Sequence, residues 1–299
     1  MTRSIIVNSK RMYPLSKTLK KLLIYSLLLI FSIYVLFPLS WLIKTSLETG
    51  MLSETFGLGE FSWLPRNASV ENYRELFRMG SLSFAGVAFP TYIKNSLIVG
   101  LYSSLVTLLL SVLGAYGFSR FAFQGRKLML ALMLVTQMIS TVGLLLPLYR
   151  LLNLFNLIDT HFALILTYTS FSVPFCTWFL KGYFDSIPIE LEEASMVDGC
   201  TRLGALRRIV FPLALPGIVA TAIFAFLRSW NEYVFATTFI FTKEMKTLPI
   251  GLVGIYSQRF LNWGLVAAGG VVGVIPIVIL FMFMQRYLIG GLTAGSVKG

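Results

Sequence analysis

The sequence predicts an all-α integral membrane protein with six transmembrane helices, and three observations predict it. Only 13% of the 299 residues are charged, against about 25% in soluble domains. Hydrophobic residues make up 56%, and the mean hydropathy is +0.78. Charge-free intervals run from Lys21 to Lys44, Lys94 to Arg120, Lys127 to Arg150, Asp159 to Lys181, Arg208 to Arg228 and Arg259 to Arg286. Each is long enough for a spanning helix, which needs ~20 largely apolar residues. The fifth is the least clean. Phe (25) and Tyr (13) are abundant, as expected where aromatic rings sit at headgroup level.

The first interval follows a basic start (Lys10, Arg11, Lys17, Lys20, Lys21). Its apolar run exceeds the ~7–15 residues of a secretory signal, and no small-residue cleavage site follows, so it reads as a retained helix. The chain then divides into a cytoplasmic N-terminus (1–21), a first span (22–43), an extracytoplasmic segment (44–90), a five-helix core (91–289) and a cytoplasmic tail (290–299). No repeat, low-complexity tract or soluble domain interrupts it.

The net charge of +12 comes mostly from short loops, where basic residues set orientation and place both termini in the cytoplasm. Lys44 and Lys94 fall on the other side, where long side chains can snorkel from helix ends. No basic face with stacking aromatics points to nucleic acid. Within 44–90, Ser69 can cap a short helix over 70–77, with Glu71 favourable in its first turn. That segment is a solvated lid or a docking surface. Cys176 and Cys200 do not suggest a disulfide framework. His161 alone makes no metal site and reads as an interfacial structural residue.

The most polar interruption of the second half follows Lys181. Ser186-Ile187-Pro188 marks a helix start, with proline where its missing N–H costs nothing. Glu190, Glu192 and Glu193 fill the first turns and offset the positive end of the helix dipole. Gly199 accepts the left-handed backbone of a helix stop. Thr201 can cap a second helix with Leu203, Leu206, Ile209 and Val210 at helical spacing, and Pro212 and Pro216 break or kink the return to the membrane. A loop of helix, glycine corner and helix can sit in a partner's groove or lie on the inner leaflet.

Glu193-Ala194-Ser195, then Asp198-Gly199, then Ile209-x-Phe211-Pro212 resembles the Glu-Ala-Ala, three residues, Gly, nine residues, Ile-x-Leu-Pro signature of permeases of bacterial binding-protein-dependent ABC importers. Ser195 replaces the second alanine and Phe211 the leucine. The ending Gly290-Gly291-Leu292-Thr293-Ala294-Gly295-Ser296-Val297-Lys298-Gly299 is similar to the tail of MalG-like subunits of maltose-type carbohydrate importers. Trp230-Asn231-Glu232-Tyr233 and Thr247-Leu248-Pro249-Ile250-Gly251 fit the same subfamily.

The resemblance implies a type I ABC importer permease (MetI-like) fold. It implies a MalF-like second permease subunit, two cytoplasmic ATPase subunits that hold ATP and Mg, and an extracytoplasmic solute-binding protein delivering a di- or oligosaccharide. Glu190, Glu192, Glu193, Ala194, Ser195, Asp198, Gly199, Ile209 and Pro212 would form the ATPase-coupling loop. The tail Thr293, Ala294, Gly295, Ser296, Val297, Lys298 and Gly299 would reach between the ATPases. Tyr256, Ser257, Gln258, Arg259, Phe260, Leu261, Asn262 and Trp263 would form a scoop entering the binding protein.

The chain has no Gly-x-x-x-x-Gly-Lys-Ser/Thr motif and no paired-carboxylate or nucleophile constellation with a base, so it reads as a non-catalytic subunit with no cofactor or metal of its own. Arg228 and Glu232 are four apart, a spacing at which side chains meet on one helix face. With Asn231 they are candidates for lining the pathway, or they form an internal ion pair. Gly269, Gly270 and Gly273 permit close helix contact, and Pro276 can kink the last span. A permease for another solute such as glycerol phosphate, or a secondary carrier, is the alternative function.

Overall fold

The computed structural model describes residues 17–48, 63–65, 67–78, 87–256 and 262–294, which are helices joined by turns and short irregular segments, with an isolated antiparallel bridge between Glu48 and Ala68. The helices are Lys17–Leu47 (α1), Glu71–Arg78 (α2), Phe89–Arg120 (α3), Arg126–Thr136 (α4), Leu145–Leu154 (α5), His161–Asp185 (α6), Ile189–Val197 (α7), Arg202–Ala205 (α8), Phe211–Leu213 (α9), Leu215–Trp230 (α10), Val234–Phe239 (α11), Leu248–Tyr256 (α12) and Trp263–Ala294 (α13). A π-helical turn over Leu206–Val210 joins α8 to α9.

Among the described residues, four stretches, in α1, α3, α6 and α13, are long and apolar enough to cross a bilayer, and Arg202–Leu213 with Leu215–Trp230 reaches that length and hydropathy only as a pair bent by 81°. The bend falls at Ala214, between Pro212 and Pro216, as those prolines predict. The interval from Lys127 to Arg150 is not one helix. It divides into α4 and α5 around the irregular stretch 137–144. Ser140 and Thr141 lie in that stretch, and such side chains compete with the backbone for helical hydrogen bonds.

The packing of α3 follows from where its small residues fall. Ser96, Gly100, Ser103, Ser104, Thr107, Ser111 and Ala115 are buried, whereas Leu101, Leu105, Leu109 and Leu113 are exposed. Lipid tails are as apolar as leucine, so close contact of small residues holds such helices together. Two hydroxyls on that face are satisfied within α3, Ser103 Oγ donating to Val99 O at 2.6 Å and Ser104 Oγ to Gly100 O at 2.5 Å, while Ser96 Oγ accepts from Leu248 N of α12 at 2.8 Å. Helix α6 packs along α3, and α10 lies against both and against α13. Gly217 of α10 admits the Tyr183 ring so closely that a Cβ there would lie 2.5 Å from its Cγ. Trp230 Nε1 donates to Gly273 O at 3.2 Å, tying α10 to α13. A Cβ on Gly269 would lie 2.7 Å from Leu252 Cδ2, which places α12 against α13. Helix α13 continues through Pro276.

Three buried clusters organise the bundle. One, around Leu76, Tyr92, Phe226, Trp230, Leu248 and Leu265, joins α2, α3, α10, α12 and α13. A second, around Val112, Tyr116, Leu180, Phe184, Leu206, Val210 and Ile218, lies beneath α7 and α8. The third, around Leu152, Leu164, Tyr168, Phe235 and Phe239, packs α5 and α11 on α6. Helix α1 stands apart, exposed along most of its length and touching α13. Its end is pinned to α2: Asn72 Nδ2 donates to Ser46 O and Glu48 O at 2.9 and 2.8 Å. Lys44 pairs with Glu48 at 2.9 Å, so it is an ion-pair partner at the helix end. Ser69 Oγ accepts from Glu71 N at 3.1 Å, starting α2 as its sequence suggests.

Candidate functional site

The polar loop folds by local rules. Helix α7 starts after Pro188 and ends in a Schellman motif: Cys200 N donates to Ser195 O at 3.0 Å and Gly199 N to Met196 O at 3.1 Å. Gly199 takes φ +87°, the left-handed conformation that glycine adopts without a Cβ clash. Thr201 Oγ1 then accepts from Gly204 N at 3.1 Å and starts α8.

The three glutamates of α7 part company. Glu190 and Glu193 face outward, but Glu192 is buried. Its Oε1 accepts from Arg120 Nε at 2.5 Å and its Oε2 from Tyr116 OH at 2.9 Å. Arg120 also donates to Ile187 O at 3.0 Å and to Ser119 Oγ at 3.0 Å. Ser119 Oγ donates in turn to Asp185 Oδ1 at 2.7 Å, and Asp185 pairs with Lys181. The loop is therefore clamped to the end of α3 through a network in which the Arg120 and Glu192 side chains are only 6% and 3% exposed. Within the expected coupling loop Glu192 is thus an internal anchor, unlike the exposed Glu190 and Glu193. Tyr116 and Arg120 are four positions apart at the end of a charge-free interval, a spacing that puts both on one helix face.

The outward face of the loop is apolar with an acidic rim. Val197 is 88% and Leu203 68% exposed, with Glu193, Ala194, Asp198 and Gly199 exposed beside them. A cleft of ≈ 620 Å³ lies behind this face, lined by Asp198, Cys200, Leu203, Arg207, Arg208 and Phe211 among others. Ser195 turns its hydroxyl onto its own helix, donating to Glu192 O at 2.8 Å, so it leaves the outward surface little changed. Ile209 is half-buried and Pro212 exposed.

The second expected cluster is rearranged. Helix α10 ends at Trp230, so Arg228 and Glu232 do not share a helix face, and among the described residues they form no ion pair. Asn231 Nδ2 donates to Leu227 O at 3.0 Å and closes α10. Glu232 accepts from Tyr168 OH at 2.6 Å and from Phe235 N and Ala236 N at 2.8 and 3.1 Å, starting α11. Arg228 donates instead to Gln137 Oε1 at 3.2 Å and lies over the Phe171 ring.

At the end of the bundle away from α7, Asp159 accepts from Phe241 N, Thr242 N and Thr242 Oγ1 at 2.8, 2.9 and 2.5 Å. Burial alone would raise its pKa, but the Thr242 and Phe241 hydrogen bonds prevail and hold the carboxyl below its ordinary value. His161 Nε2 shares a hydrogen bond with Met245 O at 2.9 Å, a structural role. Of the scoop stretch, residues 257–261 lie outside the described residues; Tyr256 ends α12, Asn262 Oδ1 accepts from Leu265 N at 3.0 Å, and Trp263 starts α13. Of the tail, Thr293 and Ala294 end α13, and residues 295–299 lie outside the described residues.

Residues 108–293 match the family model described as the binding-protein-dependent transport system inner membrane component. The chain is 36% identical to the sulfoquinovosyl glycerol transport system permease protein SmoH of Agrobacterium fabrum over 88% of this chain and 89% of that one. It is 32% identical to the trehalose/maltose transport system permease protein MalG of Thermococcus litoralis over 95% and 99%. In three dimensions it is similar to a chain of a crystallised bacterial ABC transporter involved in import of the acidic polysaccharide alginate, with a TM-score of 0.72 at 21% identity, covering 92% of this chain and 98% of that one.

Proposed function

Since this chain belongs to the inner membrane components of binding-protein-dependent transport systems, we propose that it is one of two permease subunits of an ATP-driven importer of a di- or oligosaccharide. The sugar class is supported by relatives named for trehalose/maltose, arabinooligosaccharides and diacetylchitobiose. A MalF-like subunit supplies the other half of the pathway. Two cytoplasmic ATPase subunits bind ATP and Mg and hydrolyse the nucleotide, and an extracytoplasmic binding protein delivers the sugar. Both termini and the α7–α9 loop lie in the cytoplasm.

One observation carries the coupling role. Helix α7 presents the exposed Val197 outward while Glu192 fastens it to α3 by a buried ion pair. An apolar knob with an acidic rim suits a groove on a partner. A knob held rigidly can pass the partner's motion to a spanning helix, because packed elements move between discrete arrangements. Residues 290–299 would extend towards the ATPases and 256–263 towards the binding protein, while Arg228, Asn231 and Glu232 line the sugar path.

The test is ATPase stimulation by sugar-loaded binding protein in the reconstituted complex. Val197→Arg should leave the permease pair assembled and lower stimulation at least tenfold. Undiminished stimulation with normal sugar uptake would reject α7 as the docking element.

A further inference from the structure

Arg228 is a cation with no counterion among the described residues. Its place is deep: the Phe171 ring beneath it, 5.9 Å from ring centroid to guanidinium carbon, belongs to the middle of the 25-residue span α6. Glu232, the nearest carboxylate in sequence, is already engaged by Tyr168 OH and by two backbone N–H groups of α11. Among the described residues Arg228 makes one hydrogen bond, from Nη1 to Gln137 Oε1 at 3.2 Å. Gln137 is itself held, donating from Nε2 to Phe171 O at 3.1 Å. A guanidinium carries five N–H donors in a planar fork, so most of this fork has no partner among the described residues.

Its surroundings suit a ligand better than lipid. Gln137 opens the irregular stretch 137–144 between α4 and α5, and non-helical backbone at membrane depth persists where it lines a cavity or is covered by protein. One turn before Arg228, the exposed Phe224 packs on Phe175 with centroids 4.5 Å apart. Together with Phe171 these rings give an aromatic floor beside a charged fork. A few convergent polar groups over aromatic walls are the usual make-up of a small-molecule site, and a planar fork matches a carboxylate or sulfonate through two parallel hydrogen bonds.

We infer that Arg228 is a specificity-determining residue for an anionic substituent, a carboxylate or a sulfonate, on the transported sugar, which passes beside the Phe171, Phe175 and Phe224 rings. This rests on the sugar-permease reading. Charges in membrane spans either pair or mark substrate paths, and here the pairing group arrives with the substrate.

The experiment is uptake by proteoliposomes holding the complete importer and its binding protein. The probes are maltose and cellobiose against cellobiouronic acid, digalacturonic acid and methyl sulfoquinovoside. At least one acidic sugar should enter at least tenfold faster than either neutral one, and the uronic and sulfonated probes separate the two anion types. Arg228→Gln should abolish that preference, and Arg228→Lys, which keeps the charge and loses the fork, should retain part of it. Equal or greater uptake of neutral sugars, or an acid-to-neutral ratio unchanged by Arg228→Gln, overturns the assignment. An unchanged ratio with loss of the second permease subunit would give Arg228 to a carboxylate of that subunit. ATP-dependent uptake of no sugar of either class would instead overturn the sugar-importer reading.

Discussion

Arg120 and Glu192 are 72 positions apart, yet their side chains meet at 2.5 Å in a buried pair that joins α3 to α7. Both glutamate oxygens are used, one by Arg120 and the other by Tyr116, while the guanidinium also holds the Ile187 carbonyl just before α7. Buried pairs of this kind are poor sources of net stability, but breaking one leaves a charge stranded. Their value is positional.

Arg120→Ala should accordingly destabilise the protein by about 3–5 kcal/mol, more than the double variant Arg120→Ala with Glu192→Ala relative to its size. Thermal unfolding of the purified protein in a double-mutant cycle measures the difference. With α7 as the coupling element, Glu192→Gln should also raise ATP hydrolysed per sugar transported, since Tyr116 still finds an acceptor but the ionic clamp is gone. A cycle with additive single effects and an unchanged coupling ratio would contradict both expectations.

Gly199 makes a second prediction because its φ of +87° is a backbone requirement. No atom lies within 4 Å of a Cβ built there, so space is not the constraint. Gly199→Leu should cost about 1–2 kcal/mol through left-handed strain and lower ATPase stimulation. Gly199→Asn should retain most of both, as asparagine visits this conformation more readily. Equal losses in the two variants would point to side-chain bulk at the partner surface instead.

These cases mark where the sequence was readable. The caps at Ser69 and Thr201 and the stop at Gly199 follow from rules spanning a few residues, and the structure repeats them. The inward turn of Glu192 depends on Arg120, and three acidic positions in one short helix do not announce which faces the core. The supposed Arg228–Glu232 helix pair fails because α10 stops at Trp230 with neither glycine nor proline there. That stop uses the Asn231 side chain and the long-range bond between Glu232 and Tyr168. The break between α4 and α5 carries no charge to mark it, because Gln137, Ser140, Thr141 and Gly143 are uncharged and lie among apolar residues.

Asp159 gives a pH-dependent prediction. Hydrogen bonds that overcome its burial set its folded pKa below the ordinary value of 3.8. A depressed carboxyl pKa contributes stability that is present above the unfolded value and lost as pH falls through the folded one. Asp159→Asn should therefore melt at a lower temperature than the parent near neutral pH, and the gap should close as pH drops below about 4. A gap that stays constant into strong acid would mean that the Phe241 and Thr242 bonds owe nothing to the carboxylate charge.

The contact of Gly217 with Tyr183 supports the last prediction. Helix α10 approaches α6 just beyond the 81° bend, and a Cβ at Gly217 would lie 2.5, 2.7 and 2.8 Å from three atoms of the Tyr183 ring. The ring packs at a tilt against Phe179 one turn back along α6, at 5.3 Å between centroids, so it has little room to withdraw. Gly217→Ala should destabilise the protein by about 1–3 kcal/mol, the usual range for overpacking, and Tyr183→Ala should recover most of that loss when combined with it. Because this contact joins the loop-proximal ends of two spans, the same substitution should lower sugar-stimulated ATP hydrolysis in the assembled importer. Thermal unfolding separates the packing cost from the functional one. If Gly217→Ala melts like the parent, the helices part freely at this point and the close approach is not what holds the bend.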